Sequence, residues 1–308
     1  MYRQLLISAL FLPFLGILLS SCAPKPPHPM QAPEAATAVI EGSGAVFQAG
    51  QIVDTRAGER IAFAELIQRL QAQELVFIGE VHTNAEHHLI RVQILQTLLD
   101  SAPETAVGIE YLPHTLQPVV DRFMSGTIDE RQFFNQSDWL KNWGFDLHLY
   151  RPLFQMTRRQ AAALLALNAP NAVIKTVARA GLQGLPPEQR HLLPESIDLD
   201  RPRYRAALKA VFQNHAHAGL PDFELFYQAQ CARDATMAAN IAADWTAQRR
   251  RMVVFCGNGH LDKRYGVPGR VQSRIAVDSA VLLLKPLQGS MRLDPAEAEA
   301  LKEQIDAG

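Results

Sequence analysis

Cysteine is scarce in this chain, neither sign of charge is in excess, and no apolar run is long enough to cross a bilayer. Among 308 residues there are 3 Cys, and 30 Lys and Arg stand against 31 Asp and Glu. Charges that are interspersed and nearly cancel create no basic field to hold a phosphate backbone, so nucleic acid is not an expected partner. Beyond Cys22 only Cys231 and Cys256 remain, with no C-x-x-C or C-x-x-C-H spacing. That disfavours a disulfide scaffold, a zinc ribbon and a covalently attached c-type haem. The apolar run from Leu5 to Leu19 is too short for a spanning helix.

What that run does fit is a leader. Arg3 precedes it, small residues follow it, and Leu19-Ser20-Ser21-Cys22 resembles the bacterial lipobox, whose cysteine is lipidated after cleavage. Residues 1–21 are therefore read as a lipoprotein signal peptide and Cys22 as the site of the palmitate-bearing anchor to the membrane. Residues 22–48 are rich in proline and alanine in their first part and lack apolar periodicity there, as an extended tether does. Residues 49–290 are left for the folded domain and 291–308 for a tail, with about 48% apolar residues overall, enough for a sizeable core.

Three apolar runs in this domain each end in a glycine followed by ionisable residues: Leu75 to Glu80 and on to His82, Ala106 to Glu110, and Met252 to His260. Strands buried on both faces of a parallel sheet read as such continuous runs, and ligands of open parallel sheets bind outside the carboxyl ends of the strands. Ala163 to Leu167 and Val281 to Leu284 add two further strands. Apolar stripes at Phe63, Leu66, Ile67 and Leu70, and at Leu89, Val92, Leu95 and Leu99, predict helices; Thr83 or Asn84 caps the second. The expected fold is α/β, a mostly parallel open sheet flanked by helices. Two helical insertions, at about 113–160 and 186–248, form a small lobe over the carboxyl ends of the strands.

The strand ends Gly79-Glu80-Val81-His82 and Gly257-Asn258-Gly259-His260 share the form G-x-x-H, and Gly108-Ile109-Glu110 lies between them. Two imidazoles and two carboxylates brought together suit either a divalent metal, with His82, His260 and Glu80 as ligands, or acid–base chemistry, with Glu80 and Glu110 as the catalytic carboxylates. Burying a carboxylate beside a core without a partner is costly, so each glutamate requires a cation or a proton. Arg233 is one candidate cation, and Asp234 could orient a histidine nitrogen from behind. His82-Thr83-Asn84-Ala85-Glu86-His87-His88 is not H-E-x-x-H, which rejects the zincin reading. His88 could reach the site, but a solvated position in the first helical turn is expected for it. If the crevice held haem instead, Tyr111, Tyr150 and Tyr227 are candidate iron ligands, each set against an ordinary packing role.

The ordered series of Leu75 to His82, Gly108 to Glu110, Tyr150-Arg151-Pro152, Gln230 to Ala238, and Gly257 to His260 followed by Gly266-Val267-Pro268-Gly269-Arg270 resembles the ChaN family of haem-binding uptake lipoproteins. That family belongs to the wider Tiki and erythromycin-esterase superfamily. The resemblance implies an α/β domain with a helical lobe, haem in a crevice shared by two copies of the chain, and a role in bacterial haem and iron uptake. It also implies, through Ala23 after the cysteine, an outer-membrane lipoprotein facing the periplasm. The Tiki branch implies the alternative: a metal-dependent hydrolase, peptidase- or esterase-like, using His82, His260, Glu80 and Glu110.

Overall fold

The carboxyl ends of three buried strands meet side by side, and the reason lies in their pairing. The computed structural model describes residues 37–40, 46–214, 222–287 and 290–293. Its main sheet contains β5 (Leu75–Glu80), β6 (Ala106–Pro113), β7 (Leu164–Asn168), β8 (Met252–Gly257) and β9 (Ser279–Leu282). The order is β7-β6-β8-β5-β9, and every pairing is parallel. β8, late in the chain, is thus inserted between the first two strands of the sheet. Glu80 lies opposite Gly257 and Ile109 opposite Phe255, so Glu80, Glu110 and Gly257 lie side by side on three adjacent strands.

All residues of β5, β6 and β8 are buried, which is why the runs show no alternation. On one face Val76, Ile78, Val107, Ile109, Val253 and Phe255 pack against α1 (Phe63–Gln71), α2 (Ala85–Ser101), α3 (Gln117–Met124), α4 (Glu130–Gln136), α5 (Trp139–Asn142) and α6 (Leu147–Arg159). The insertion after β7 carries α7 (Asn171–Ala180), α8 (Pro187–Arg190), α9 (Pro202–Asn214) and the long α10 (Phe223–Gln248). On the other face Leu75, Phe77, Met252 and Val254 meet Met237, Ala238, Ile241 and Trp245 of α10, and Val267 and Val271 of α11 (Val267–Gln272). Fully buried side chains such as Phe77 and Phe255 each contribute roughly 1.5–3 kcal/mol by leaving water. No described helix is long and apolar enough to cross a membrane.

Two small sheets precede the main one. β3 (Ile52–Asp54) and β4 (Glu59–Ile61) form a hairpin. β1 (Thr37–Ile40) and β2 (Val46–Gln48) pair antiparallel, and β10 (Ser290–Leu293) runs parallel to β1. β1 and β2 fall within residues 22–48, read from the sequence as tether, and β10 crosses into residues 291–308, read as tail. Thr37, Val39, Ile40 and Val46 are β-branched, a local preference for strand that the neighbouring prolines and alanines had masked. Residues 1–21 and Cys22 lie outside the described residues.

Candidate functional site

The exit of β5 sets the first half of the site. Asn84 caps α2 by accepting the His87 N–H at 3.1 Å, which holds the turn that carries His82. His82 Nδ1–H donates to Glu80 at 2.7 Å. Its ring rests against Trp143 and Phe145, with centroids 4.7 and 4.9 Å away, so the lobe roofs it as expected. Burial, reinforced by the charge of His260 and opposed by Glu110, lowers the His82 pKa, keeping the imidazole neutral with Nε2 as a lone-pair nitrogen. Nε2 faces the Cα of Gly257, where a Cβ would lie only 3.0 Å from it. Glycine is required there by that approach.

Glu80 is fully buried, and its counter-ion is Arg91, nearly two turns into α2 and equally buried. Arg233, the cation suggested by the sequence, instead donates to Asn171 at 3.2 Å and acts on Glu110 and Asp234 through its charge. Arg91 also donates to the Tyr111 hydroxyl and to His88 Nδ1, while His88 Nε2–H donates to the His82 carbonyl at 2.9 Å. The expectation that His88 is solvated is therefore corrected. It is buried, its pKa is lowered by that burial, and it braces the backbone of His82. Arg91 escaped the sequence reading because a cation between Ile90 and Val92 on a helix ordinarily faces water.

The second half joins β6, β8 and α10. Glu110 accepts the Gly257 N–H at 2.7 Å and approaches His260 Nε2 at 3.1 Å. His260 Nδ1 meets Asp234 at 2.5 Å, and the other oxygen of Asp234 accepts the Tyr204 hydroxyl at 2.5 Å. Burial alone would discharge His260, but Glu110 and Asp234 outweigh it and raise its pKa to about 10. Burial likewise disfavours the Glu110 carboxylate, yet the His260 charge and hydrogen bond, His82 and the Gly257 N–H bring it to about 2. The two histidines thus stand in opposite states: His82 neutral, His260 a cation bound at both nitrogens.

This arrangement does not fit the metal set read from the sequence. A doubly donating imidazolium offers no lone pair, and Glu80 is neutralised by Arg91. Among the described residues no group of three or more His, Cys, Asp and Glu could hold a metal ion.

The three tyrosines weighed as haem-ligand candidates against a packing role are all packed inside the fold. Tyr111 and Tyr150 are buried, and both hydroxyls point at Glu80, at 3.5 and 3.4 Å. Tyr227 is buried and donates to the Leu199 carbonyl at 2.9 Å. Burial pushes all three phenols up, away from the phenolate a metal needs.

A fourth tyrosine, missed because it shows no periodicity, is open. After His260 the chain passes through left-handed Lys263 (φ 52°) and Arg264 (φ 56°) before Tyr265 and Gly266. Such conformations cost non-glycine residues about 1–3 kcal/mol each and mark positions where the backbone aims a side chain. Tyr265 is half-buried, and its hydroxyl makes no hydrogen bond to another described residue. It lines a cavity of about 490 Å³ with Arg201, Arg203, Tyr204, Arg264 and Gly269. Tyr204 ties this cavity to Asp234, and Gly266 packs so close that a Cβ would lie 2.4 Å from the His260 carbonyl. Another cavity, of about 530 Å³, lies at the opposite strand ends, between Glu104, Ala162 and Arg249–Arg251.

Known proteins bear on this geometry. The family model described as haem-binding uptake, Tiki superfamily, ChaN matches residues 66–271. ChaN of Campylobacter jejuni, solved with cofacial haem binding, superimposes with a TM-score of 0.60 at 19% identity, covering 77% of this chain and 91% of its own. An erythromycin esterase in its open conformation gives a TM-score of 0.45 at 15% identity, covering 71% of this chain and 72% of its own. No curated protein sequence matches the chain.

Proposed function

The chain belongs to the ChaN family of the Tiki superfamily, described as haem-binding uptake, and from that premise we propose that it carries haem as cargo in the cavity beside Tyr265. A haem site needs an iron ligand, cations for two propionates and a wall for the macrocycle. The observation that carries the reading is the conjunction of a half-buried tyrosine hydroxyl with no hydrogen-bond partner among the described residues and an arginine-lined cavity of about 490 Å³. That volume lies within the roughly 300–1,000 Å³ usual for small-molecule sites. Tyr265 would supply the phenolate, with Arg264 and Arg201 beside the acid groups and Pro202 and the face of Tyr204 as wall.

A cavity so lined leaves one face of the cargo uncovered. The cofacial haem of the Campylobacter protein supports a homodimer in which a second copy covers it. Anchoring through Cys22 to the outer membrane, facing the periplasm, completes the proposal, and metabolic labelling with palmitate that Cys22→Ala abolishes would support it. Haem uptake itself is tested by titrating haemin into the purified chain and following the Soret band. A saturable shift at fixed stoichiometry, weakened at least tenfold by Tyr265→Phe, is expected; that is about 1.4 kcal/mol. No saturable shift contradicts the reading.

One observation favours hydrolysis as a second reading, without the metal. Environments that push neighbouring titratable groups apart define acid and base roles. His82 is neutral, with Nε2 free to take a proton from water as the oxygen adds to an acyl carbon, and the His260–Glu110 pair holds the complementary proton. Turnover of a chromogenic ester lost in His82→Asn would support this; rates equal to buffer would remove it.

A further inference from the structure

The turn between β5 and α2 is closed by a ring of three hydrogen bonds. The Val81 carbonyl accepts the Asn84 N–H at 2.9 Å, the Asn84 side chain accepts the His87 N–H at 3.1 Å, and Nδ1 of His87 accepts the Val81 N–H at 3.0 Å. Only the third link can titrate. A backbone N–H does not give up its proton, so Nδ1 must offer a lone pair, and His87 is neutral with its proton on Nε2. A proton added to Nδ1 takes the place of this bond. The other two histidines of the turn differ. His82 donates from Nδ1 to Glu80, and His88 is held by the Arg91 guanidinium and the His82 carbonyl, so neither ring receives a hydrogen bond from the turn's backbone.

We infer that His87 is an acid-operated latch on the strand-end site: neutral, it closes the turn that carries His82, and protonated, it releases Val81 and lets the turn open. His87 is 4% exposed and Val81 37%, so water can take over the freed N–H, whereas a charged ring cannot stay buried without a partner. His87 is also the third residue of a 17-residue helix, at the positive end of its dipole, which disfavours a cation there. Burial and the charge of His88 lower its pKa from 6.5, against a smaller opposing effect of Glu86. On the elements packed against α2, Glu80 of β5 is neutralised by Arg91, Tyr150 of α6 stays a neutral phenol against the His88 ring, and Glu65 of α1 pairs with Arg69. Exposed Glu86 is thus the carboxylate left to act on the ring. The stability that the latch contributes is present above pH 6.5 and is lost as pH falls through the lower folded value. The latch does not depend on the haem reading.

The experiment measures amide-exchange protection factors, which correct for the intrinsic effect of pH on exchange, at Val81 and His82 between about pH 7.5 and about pH 5 in the full chain, its His87→Asn variant and its His87→Leu variant. Long-range proton–nitrogen spectra report the His87 ring on the same samples. Asparagine sets a carbonyl oxygen where Nδ1 stands and does not titrate. In the wild type, protection at both amides is expected to fall about tenfold in acid while that of Val253 and Val254 in β8 holds. His87→Asn should keep the turn protected across the range, and His87→Leu should leave it unprotected throughout. Protection lost in His87→Asn, in acid or throughout, overturns the latch. So do wild-type protection that is independent of pH, an acid loss shared equally by β8, and a proton found on Nδ1 at the neutral end. If His87→Leu does not fold, the comparison of wild type with His87→Asn decides alone.

Discussion

His82 and His260 occupy the same kind of strand-end turn and hold opposite protonation states. The difference is electrostatic. His82 has one carboxylate partner, already neutralised by Arg91, whereas His260 lies between Glu110 and Asp234. Because the folded pKa of His260 is raised to about 10 from 6.5, its contribution is fully present below pH 6.5 and is lost as pH rises through 10. Urea denaturation of the wild type and His260→Gln is expected to show a stability gap at pH 6.5 that narrows steadily toward pH 10. A gap independent of pH would contradict the assignment. For the Glu80–Arg91 pair, Arg91→Met strands a buried carboxylate and should cost about 3–5 kcal/mol, while the double variant with Glu80→Gln should recover most of it. Equal losses in single and double variants, read from denaturation midpoints, would show that the pair is not coupled. His82, His260, Glu80, Glu110 and Asp234 were legible because each stands at the end of an apolar run or beside a motif. Arg91, the burial of His88 and the openness of Tyr265 were not, since all three depend on what packs across from them.

At the scale of elements, buried strands announced themselves as unbroken apolar runs, and Asn84 as a cap, because both signals are local. The insertion of β8 between β5 and β6 is not local, and no periodicity encodes it. It is nevertheless what brings Gly257 between Glu80 and Glu110. The sheet of β1, β2 and β10 joins the two ends of the described chain, and such long-range pairing leaves no pattern in either segment. The cap offers a test of how firmly α2 holds the site. Asn84→Ala should lower stability by about 1 kcal/mol. It should also loosen the turn that carries His82, raising amide exchange at Val81 and His82 above that at the centre of the helix. Exchange raised uniformly along α2 would indicate simple destabilisation instead.

The whole molecule places two kinds of chemistry within reach of each other: a buried acid–base pair at the strand ends, and an open arginine-lined cavity linked to it through Tyr204 and Asp234. Family membership directs the reading to haem, and the cavity gives that reading its residues. The most direct measurement is the resonance Raman spectrum of the haemin complex in the wild type, Tyr265→Phe and Tyr111→Phe. The account predicts iron-phenolate bands in the wild type and in Tyr111→Phe, and their loss in Tyr265→Phe. Bands that survive in Tyr265→Phe, or that disappear in Tyr111→Phe, would contradict it and move the iron away from this cavity.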